Sequence, residues 1–195
     1  MLLGLSVGCQ LTGAKQATEN RGEFLQETKI TAKELEYDIY EISEFRFAKI
    51  IKKERDYGSL VYYTLHFADD QGVIDIKKRN GWNYFPDAEA VYARNEDQFV
   101  TLLKELKYSG PFDRARKITP TFARGGGLYT FGMHGERRCF VSRAGYDIRS
   151  ASKGYEFRPA HDTGTDKFDT IIDVKYCGLQ SAEDLILWLQ RVRLK

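Results

Sequence analysis

Three segments of the chain place apolar residues at the spacing of an amphipathic helix. The first follows a capping box, in which the Thr31 hydroxyl and the Glu34 carboxylate would satisfy two free amides of the first turn. The second follows Asn95 and stops before Pro111, and the third follows Ser181 and closes the chain. The apolar faces consist of Leu35, Ile39 and Ile42; of Phe99, Leu102, Leu103 and Leu106; and of Leu185, Trp188, Leu189 and Val192. We therefore predict three helices.

Between these helices, apolar and polar residues alternate with the period of two that is typical of strands. The alternation is most regular over residues 60–67. One face of this strand carries Val61, Tyr63, Leu65 and Phe67, and the other carries Tyr62, Thr64 and His66. Further strands are predicted at residues 45–51, 73–77, 128–133, 138–143 and 168–177. Residues 68–72 and 134–136 are predicted turns, so we expect two hairpins.

The order of these elements indicates the fold class. Strands joined by tight turns, with few helices, favour an antiparallel sheet with helices on one face. We therefore predict an α+β fold in which about three helices pack against an antiparallel sheet. A chain of 195 residues has the length of one domain, and no internal repeat is visible. We predict a single globular α+β domain over residues 23–195, preceded at residues 1–22 by a signal-peptide remnant and a polar tether.

The N-terminus is apolar over residues 1–9 and polar directly afterwards. An apolar run this short does not span a bilayer, which takes about 20 residues, but it has the size of the end of a signal-peptide hydrophobic region. Ser6-Val7-Gly8-Cys9 resembles the lipobox of bacterial lipoproteins, in which a small residue precedes the cysteine that is acylated. The resemblance implies lipidation of Cys9, attachment to a membrane by a lipid anchor, and a periplasm-facing location in the cell envelope. The alternative is a hydrophobic terminus with a free or buried Cys9.

The three cysteines of the chain indicate a disulfide. If Cys9 is lipidated, Cys139 and Cys177 remain as an even set, and each lies in a strand-like run. A bond between them closes a loop of about 38 residues, which is worth roughly 3–4 kcal/mol on a chain-entropy model. Such a bond belongs to an oxidising compartment such as the periplasm. The alternative is a cytosolic protein with two buried free thiols.

A second resemblance covers roughly the last third of the chain. It is carried by two short runs that precede a terminal amphipathic helix, Arg137-Arg138-Cys139-Phe140-Val141 and Val174-Lys175-Tyr176-Cys177-Gly178. This pattern is similar to one in small exported bacterial proteins of unassigned function. The resemblance implies export and the disulfide, and it implies no activity.

Positive charge is concentrated in the C-terminal half. The net charge is only +2, but residues 111–160 hold ten Lys and Arg against four Asp and Glu. A basic region of this kind favours an anionic envelope component or a protein partner, whereas the small net charge gives no argument for nucleic acid. The candidate binding residues of this region are Arg137, Arg138, Arg143 and Arg149. The alternative is a set of solvated side chains on strand faces.

An aromatic cluster at residues 82–86 adds Trp82 and Tyr84 to the candidate binding residues. Aromatic side chains on a loop often mark a binding surface. The alternative is a loop that folds back over the sheet as a lid.

Signals for catalysis are incomplete. The Asp162-Thr163-Gly164 tripeptide occurs in aspartic proteases, but those enzymes need two such aspartates. His66, His134 and His161 lie in different predicted elements, and no cysteine and histidine spacing typical of zinc occurs. We therefore predict no cofactor, no metal, and a non-catalytic cell-envelope lipoprotein that binds through its basic C-terminal half. The alternative is a periplasmic hydrolase with a site near one of the three histidines.

Overall fold

Eight antiparallel strands make up most of the structure. The computed structural model describes residues 26–55, 58–68, 71–80, 84–85, 95–105, 112–148, 168–178 and 182–195. The strands are β1 (Gln26–Ile30), β2 (Phe47–Arg55), β3 (Leu60–Phe67), β4 (Gly72–Arg79), β5 (Arg116–Ile118), β6 (Arg124–His134), β7 (Arg137–Asp147) and β8 (Thr170–Tyr176). They form one sheet in the order β1-β2-β3-β4-β8-β7-β6-β5, with every neighbouring pair antiparallel. The last strand, β8, therefore lies inside the sheet and joins β4 to β7.

The period-two patterns of the sequence correspond to six of these strands, β2, β3, β4, β6, β7 and β8, whereas β1 and β5 were not predicted. In β3, the predicted apolar residues Val61, Tyr63, Leu65 and Phe67 are buried, and Tyr62, Thr64 and His66 on the opposite face are half-buried. Both predicted hairpins form, β3 with β4 and β6 with β7. Gly135 in the second hairpin turn has a φ of 62°, a left-handed conformation that glycine adopts at little cost. The strand and hairpin predictions are thus confirmed.

The prediction of an α+β fold with about three helices packed against the sheet is wrong. The described residues are mostly sheet, with two short α-helices, α1 (Glu96–Glu105) and α2 (Glu183–Gln190). These helices do not share a face. The buried side chains of α1 pack with Cys139 and Val141 of β7, whereas those of α2 pack with alternate residues of the same strand, including Phe140 and Ala144.

The first predicted helix is replaced by a turn and extended chain. Part of the capping box forms, because the Glu34 carboxylate accepts hydrogen bonds from the Thr31 amide at 2.7 Å and the Thr31 hydroxyl at 2.8 Å. However, the Asp38 amide donates to the Arg193 carbonyl at 3.0 Å, so this backbone pairs with the end of the chain. Only a 3₁₀ turn at Tyr40–Ile42 follows. A pairing between distant segments therefore overrides the local helix signal.

Large buried side chains cover one face of the sheet, which we call the core face. The largest of its fully buried side chains are Trp188, Tyr37, Tyr63, Tyr146, Tyr176, Phe67 and Phe140. Two of its aromatic side chains also hydrogen-bond: the Trp188 indole donates to the Asp38 carbonyl at 2.8 Å, and the Tyr146 hydroxyl donates to the Leu189 carbonyl at 2.6 Å. The opposite face, which carries α1 and is called the α1 face, is the one that holds polar side chains near the centre of the sheet.

A disulfide joins Cys139 of β7 to Cys177 just after β8, as predicted. The pairing of Phe140 with Tyr176 places the two cysteines directly opposite each other, with their Cα atoms 4.1 Å apart. Both side chains lie on the α1 face, next to Phe99 and Leu103 of α1. The bond therefore ties together the two inner strands beneath α1.

Candidate functional site

A row of polar side chains crosses the α1 face at the middle of the sheet. Thr64 of β3 lies opposite Asp75 of β4, which lies opposite Asp173 of β8, which in turn lies opposite Arg143 of β7. Side chains directly opposite on antiparallel strands have Cβ atoms about 4.5–5.5 Å apart. The register therefore brings two carboxylates together, with a hydroxyl at one end of the row and a guanidinium at the other.

The guanidinium end of this row is a bidentate ion pair. Arg143 Nε donates to Asp173 Oδ1 at 2.7 Å, and Arg143 Nη2 donates to Asp173 Oδ2 at 3.0 Å. Arg143 is only 8% exposed, so the pair is shielded from solvent on the arginine side. The Lys77 ammonium lies 3.9 Å from Asp173 Oδ2. Two cations, Arg143 and Lys77, therefore face the Asp173 carboxylate.

Of the two carboxylates in the row, Asp75 has its negative charge less fully balanced by neighbouring groups. Burial raises the pKa of Asp75, and the adjacent charge of Asp173 raises it further. A hydrogen bond from the Thr64 hydroxyl at 2.8 Å opposes this rise, as do the charges of Lys77 and His66. The pKa of Asp75 is raised overall, so this residue takes up a proton more readily than an ordinary aspartate.

A cleft of about 320 Å³ lies between this row and α1, and we call it the α1 cleft. Its roof is apolar and consists of Phe99, Leu102 and Leu103 from α1. Its floor is mixed and includes Val73, Asp75 and Lys77 from β4, Val141 and Arg143 from β7, and Asp173 and Lys175 from β8. An apolar wall facing a few convergent polar groups is the usual composition of a small-molecule site.

A second candidate surface lies at the β5 edge of the sheet. It consists of the exposed basic residues Arg114, Arg116, Lys117, Arg137 and Arg138 and is called the basic edge. Arg138 contacts the Phe131 ring at 4.9 Å and donates to Asp113 Oδ2 at 2.5 Å, which connects the β6–β7 hairpin to the segment before β5. Arg116 and Lys117 are successive strand residues, so their side chains project to opposite faces of the sheet. Positive charge is therefore present on both faces at this edge.

The predicted binding residues fall into different environments. Arg137 and Arg138 are exposed at the basic edge, whereas Arg143 is buried in the ion pair of the α1 face. Tyr84 is half-buried, and Phe85 beside it is buried, with its amide donating to the Phe168 carbonyl at 2.8 Å. Cys9, Trp82, Arg149, His161 and Asp162 lie outside the described residues.

The two histidines that the structure describes are not brought together. His66 is on β3 and His134 is at the end of β6, with β4, β8 and β7 between them. Within the described ranges, no group of three or more His, Cys, Asp or Glu side chains is placed to hold a metal ion. The hydrolase alternative therefore gains no site from these two residues.

Asp75 and Asp173 were missed as candidate residues. Each stands in an apolar strand sequence, Val73-Ile74-Asp75-Ile76 and Ile171-Ile172-Asp173-Val174. An aspartate in such a run is the available signal, because charged side chains are seldom placed in inner strands without a partner. The pairing of β4 with β8, which makes them neighbours, is not readable from either run alone.

The chain matches no protein-family model, no curated protein and no solved structure. Helices long and apolar enough to cross a membrane are absent from the part of the chain that the structure describes.

Proposed function

We propose that the protein is a non-catalytic lipoprotein of the cell envelope, anchored by Cys9 and facing the periplasm. In this proposal it binds an anionic envelope component, or a protein partner of similar charge, through its basic C-terminal half. The observation that carries the proposal is the basic edge. Arg114, Arg116 and Lys117 lie on or just before the edge strand β5, and the exposed Arg137 and Arg138 lie at the β6–β7 hairpin, where Arg138 contacts Asp113. Two acidic residues of the same region, Asp113 and Glu136, neutralise part of this charge, so a positive excess remains.

The disulfide supports the proposed compartment. Disulfides persist in oxidising environments such as the periplasm and are rare in reducing cytosol. The bond between Cys139 and Cys177 links two inner strands and is flanked by buried side chains of α1. A structural disulfide in this position is consistent with export of the chain.

The side chains of the basic edge are arranged for a broad surface rather than a pocket. Arg138 is fixed by Asp113 and by the Phe131 ring, whereas Arg116 and Lys117 project from a strand that has a partner on one side in the described sheet. Each Lys or Arg near an anionic membrane surface contributes about 1 kcal/mol of binding, and salt screens this contribution. We therefore expect binding that depends on anionic lipid or polymer and weakens with salt.

Sedimentation with vesicles tests the binding. The full chain is mixed with phosphatidylcholine vesicles that contain or lack phosphatidylglycerol, and heparin serves as a non-lipid polyanion. We expect the variant Arg116→Gln, Lys117→Gln, Arg137→Gln to lose up to about 100-fold in affinity for the anionic probe, at about 1 kcal/mol per charge. The matched control, Lys29→Gln, Lys33→Gln, Lys49→Gln, removes the same charge from exposed residues near the opposite edge. Equal losses in both variants would contradict a role for the basic edge.

Mass spectrometry tests the anchor. The mature protein is expected to lack residues 1–8 and to carry diacylglycerol on Cys9, whose two acyl chains meet the number that stable anchoring requires. A Cys9→Ala variant should move from the membrane fraction to the soluble fraction. A mature protein that begins at Met1 and remains soluble would refute the anchoring proposal.

A further inference from the structure

We propose that the α1 cleft is a binding site for a small anionic amphiphile, an organic anion with an apolar chain, with Lys175 as the cation that pairs with the anionic group. This site is separate from the basic edge and does not depend on the proposed function. It follows from the apolar roof, the charge of the floor and the position of Lys175 between two valines.

The apolar part of the ligand would lie against α1. Leu102 is half-buried, lines the cleft and supplies the accessible part of the roof. Phe99 and Leu103 beside it are 1% and 0% exposed, because they already pack against the sheet and hold α1 in place. On the floor, Val73 and Val141 supply further apolar surface. A chain placed between roof and floor would therefore be removed from water on both sides, which is the main source of affinity for an apolar group.

The charge of the floor favours an anion. Its described side chains comprise three cations, Lys77, Arg143 and Lys175, against the two carboxylates Asp75 and Asp173. Arg143 and Asp173 form a bidentate pair and contribute no net charge. The remaining pair of lysines exceeds the charge of Asp75 alone, so the floor carries at least one net positive charge.

The position of Lys175 suits an anionic amphiphile, because it places a cation beside apolar side chains. It lies directly opposite Val73 on β4 and directly opposite Val141 on β7, so its aliphatic stem runs between two apolar side chains. Burial lowers the pKa of Lys175, which means that its charged form is less well solvated than that of an ordinary lysine. An anion beside the ammonium would add a favourable interaction with the charged form, while its apolar chain covers the valines.

Calorimetric titration of the full chain tests the site with three probes of one chain length: octanoate, octylamine and octanol. We expect octanoate to bind about tenfold or more tightly than either of the others, because only the anion forms an ion pair with Lys175, in which both the donor and the acceptor of the hydrogen bond are charged. An octylamine affinity equal to or above that of octanoate, or no octanoate binding at millimolar concentration, would overturn the proposal.

Variants locate the binding. Lys175→Gln should weaken octanoate about tenfold or more, whereas Lys49→Gln, an exposed lysine of β2, should leave it unchanged. Asp75→Asn removes a negative charge from the floor, so octanoate should bind at least as tightly as before. Leu102→Glu places a carboxylate in the roof and should abolish octanoate binding.

Thermal unfolding of each variant confirms that the fold is retained, and Lys175→Gln decides the matter if Leu102→Glu does not fold. The triple glutamine variant of the basic edge should still bind octanoate, which separates this site from the proposed function. Equal octanoate affinity in Lys175→Gln and Lys49→Gln would refute the assignment of Lys175.

Discussion

Replacing Arg143 by methionine should be among the more damaging single substitutions on the α1 face. Methionine retains an unbranched stem but removes both hydrogen bonds to Asp173, at 2.7 and 3.0 Å. Asp173 would then remain beside Asp75, with the Lys77 ammonium 3.9 Å from its Oδ2. Breaking a buried ion pair from one side costs about 3–5 kcal/mol. Because the Asp173 side chain is 30% exposed, solvent screens part of this loss, and we expect the lower end, about 3 kcal/mol.

Urea unfolding, followed by circular dichroism, measures this free energy. Arg137→Met, on an exposed residue of the same strand, is the matched control and should change stability by less than about 0.5 kcal/mol. The double variant Arg143→Met, Asp173→Leu leaves no buried charge unpaired, so its loss should be well below the sum of the two single losses. A single loss below about 1 kcal/mol, or strictly additive losses, would show that the pair does not couple as the structure indicates.

Three further outcomes follow from the structure. Cys139→Ser with Cys177→Ser should lower the free energy of unfolding by roughly 3–4 kcal/mol, and thiol titration of the denatured, unreduced protein should find neither cysteine reactive. Because the pKa of Asp75 is raised in the folded state, the native protein binds more protons than the unfolded chain just above the usual aspartate range, and stability falls as pH rises through that window. Asp75→Asn should therefore flatten this part of the pH–stability curve; an unchanged curve would contradict the burial of its charge. His66→Ala should cost under about 1 kcal/mol, since His66 is half-buried on the α1 face, and a loss above about 2 kcal/mol would indicate a structural role.

Features that depend on interactions between residues close in the sequence were predicted correctly from the sequence alone. The alternation of β3 predicted both of its faces, because successive side chains of any strand project to opposite sides. Turn chemistry predicted the β6–β7 hairpin, which Gly135 closes in a left-handed conformation. The cap of α1 is also local, with Asn95 Oδ1 accepting from the Gln98 amide at 3.1 Å. These features depend on residues that are neighbours in the chain.

The first predicted helix failed for a non-local reason. Its capping residues Thr31 and Glu34 do hydrogen-bond, but a cap contributes only about 1 kcal/mol. Pairing of the following backbone with residues 193–195 and burial of Tyr37 outweigh that contribution. The predicted number of helices, and with it the α+β prediction, was therefore wrong. The helix preference of this segment was considered without the competing pairing of its backbone to the end of the chain.

The candidate site was predicted in part. Arg143 was selected as a basic residue, but its partner Asp173 was not. Asp75 was missed because its signal in the sequence, an aspartate within an apolar strand run, does not indicate which residue it faces. The disulfide was predicted because setting Cys9 aside as the lipidated residue leaves two of the three cysteines, which allow one pairing. For Asp75, the relevant neighbour is on β8, and the insertion of β8 between β4 and β7 decides that contact.

The sequence by itself thus determined six of the eight described strands, the apolar and polar sides of β3, and, with Cys9 set aside, the pairing of Cys139 with Cys177. Only the tertiary structure decided the order of the strands, the side of the sheet that each helix covers, and the meeting of Asp75 with Asp173 beneath α1. The physical reason is the range of the interactions: alternation and capping act over a few residues, whereas strand pairing and burial are settled between segments far apart in the chain.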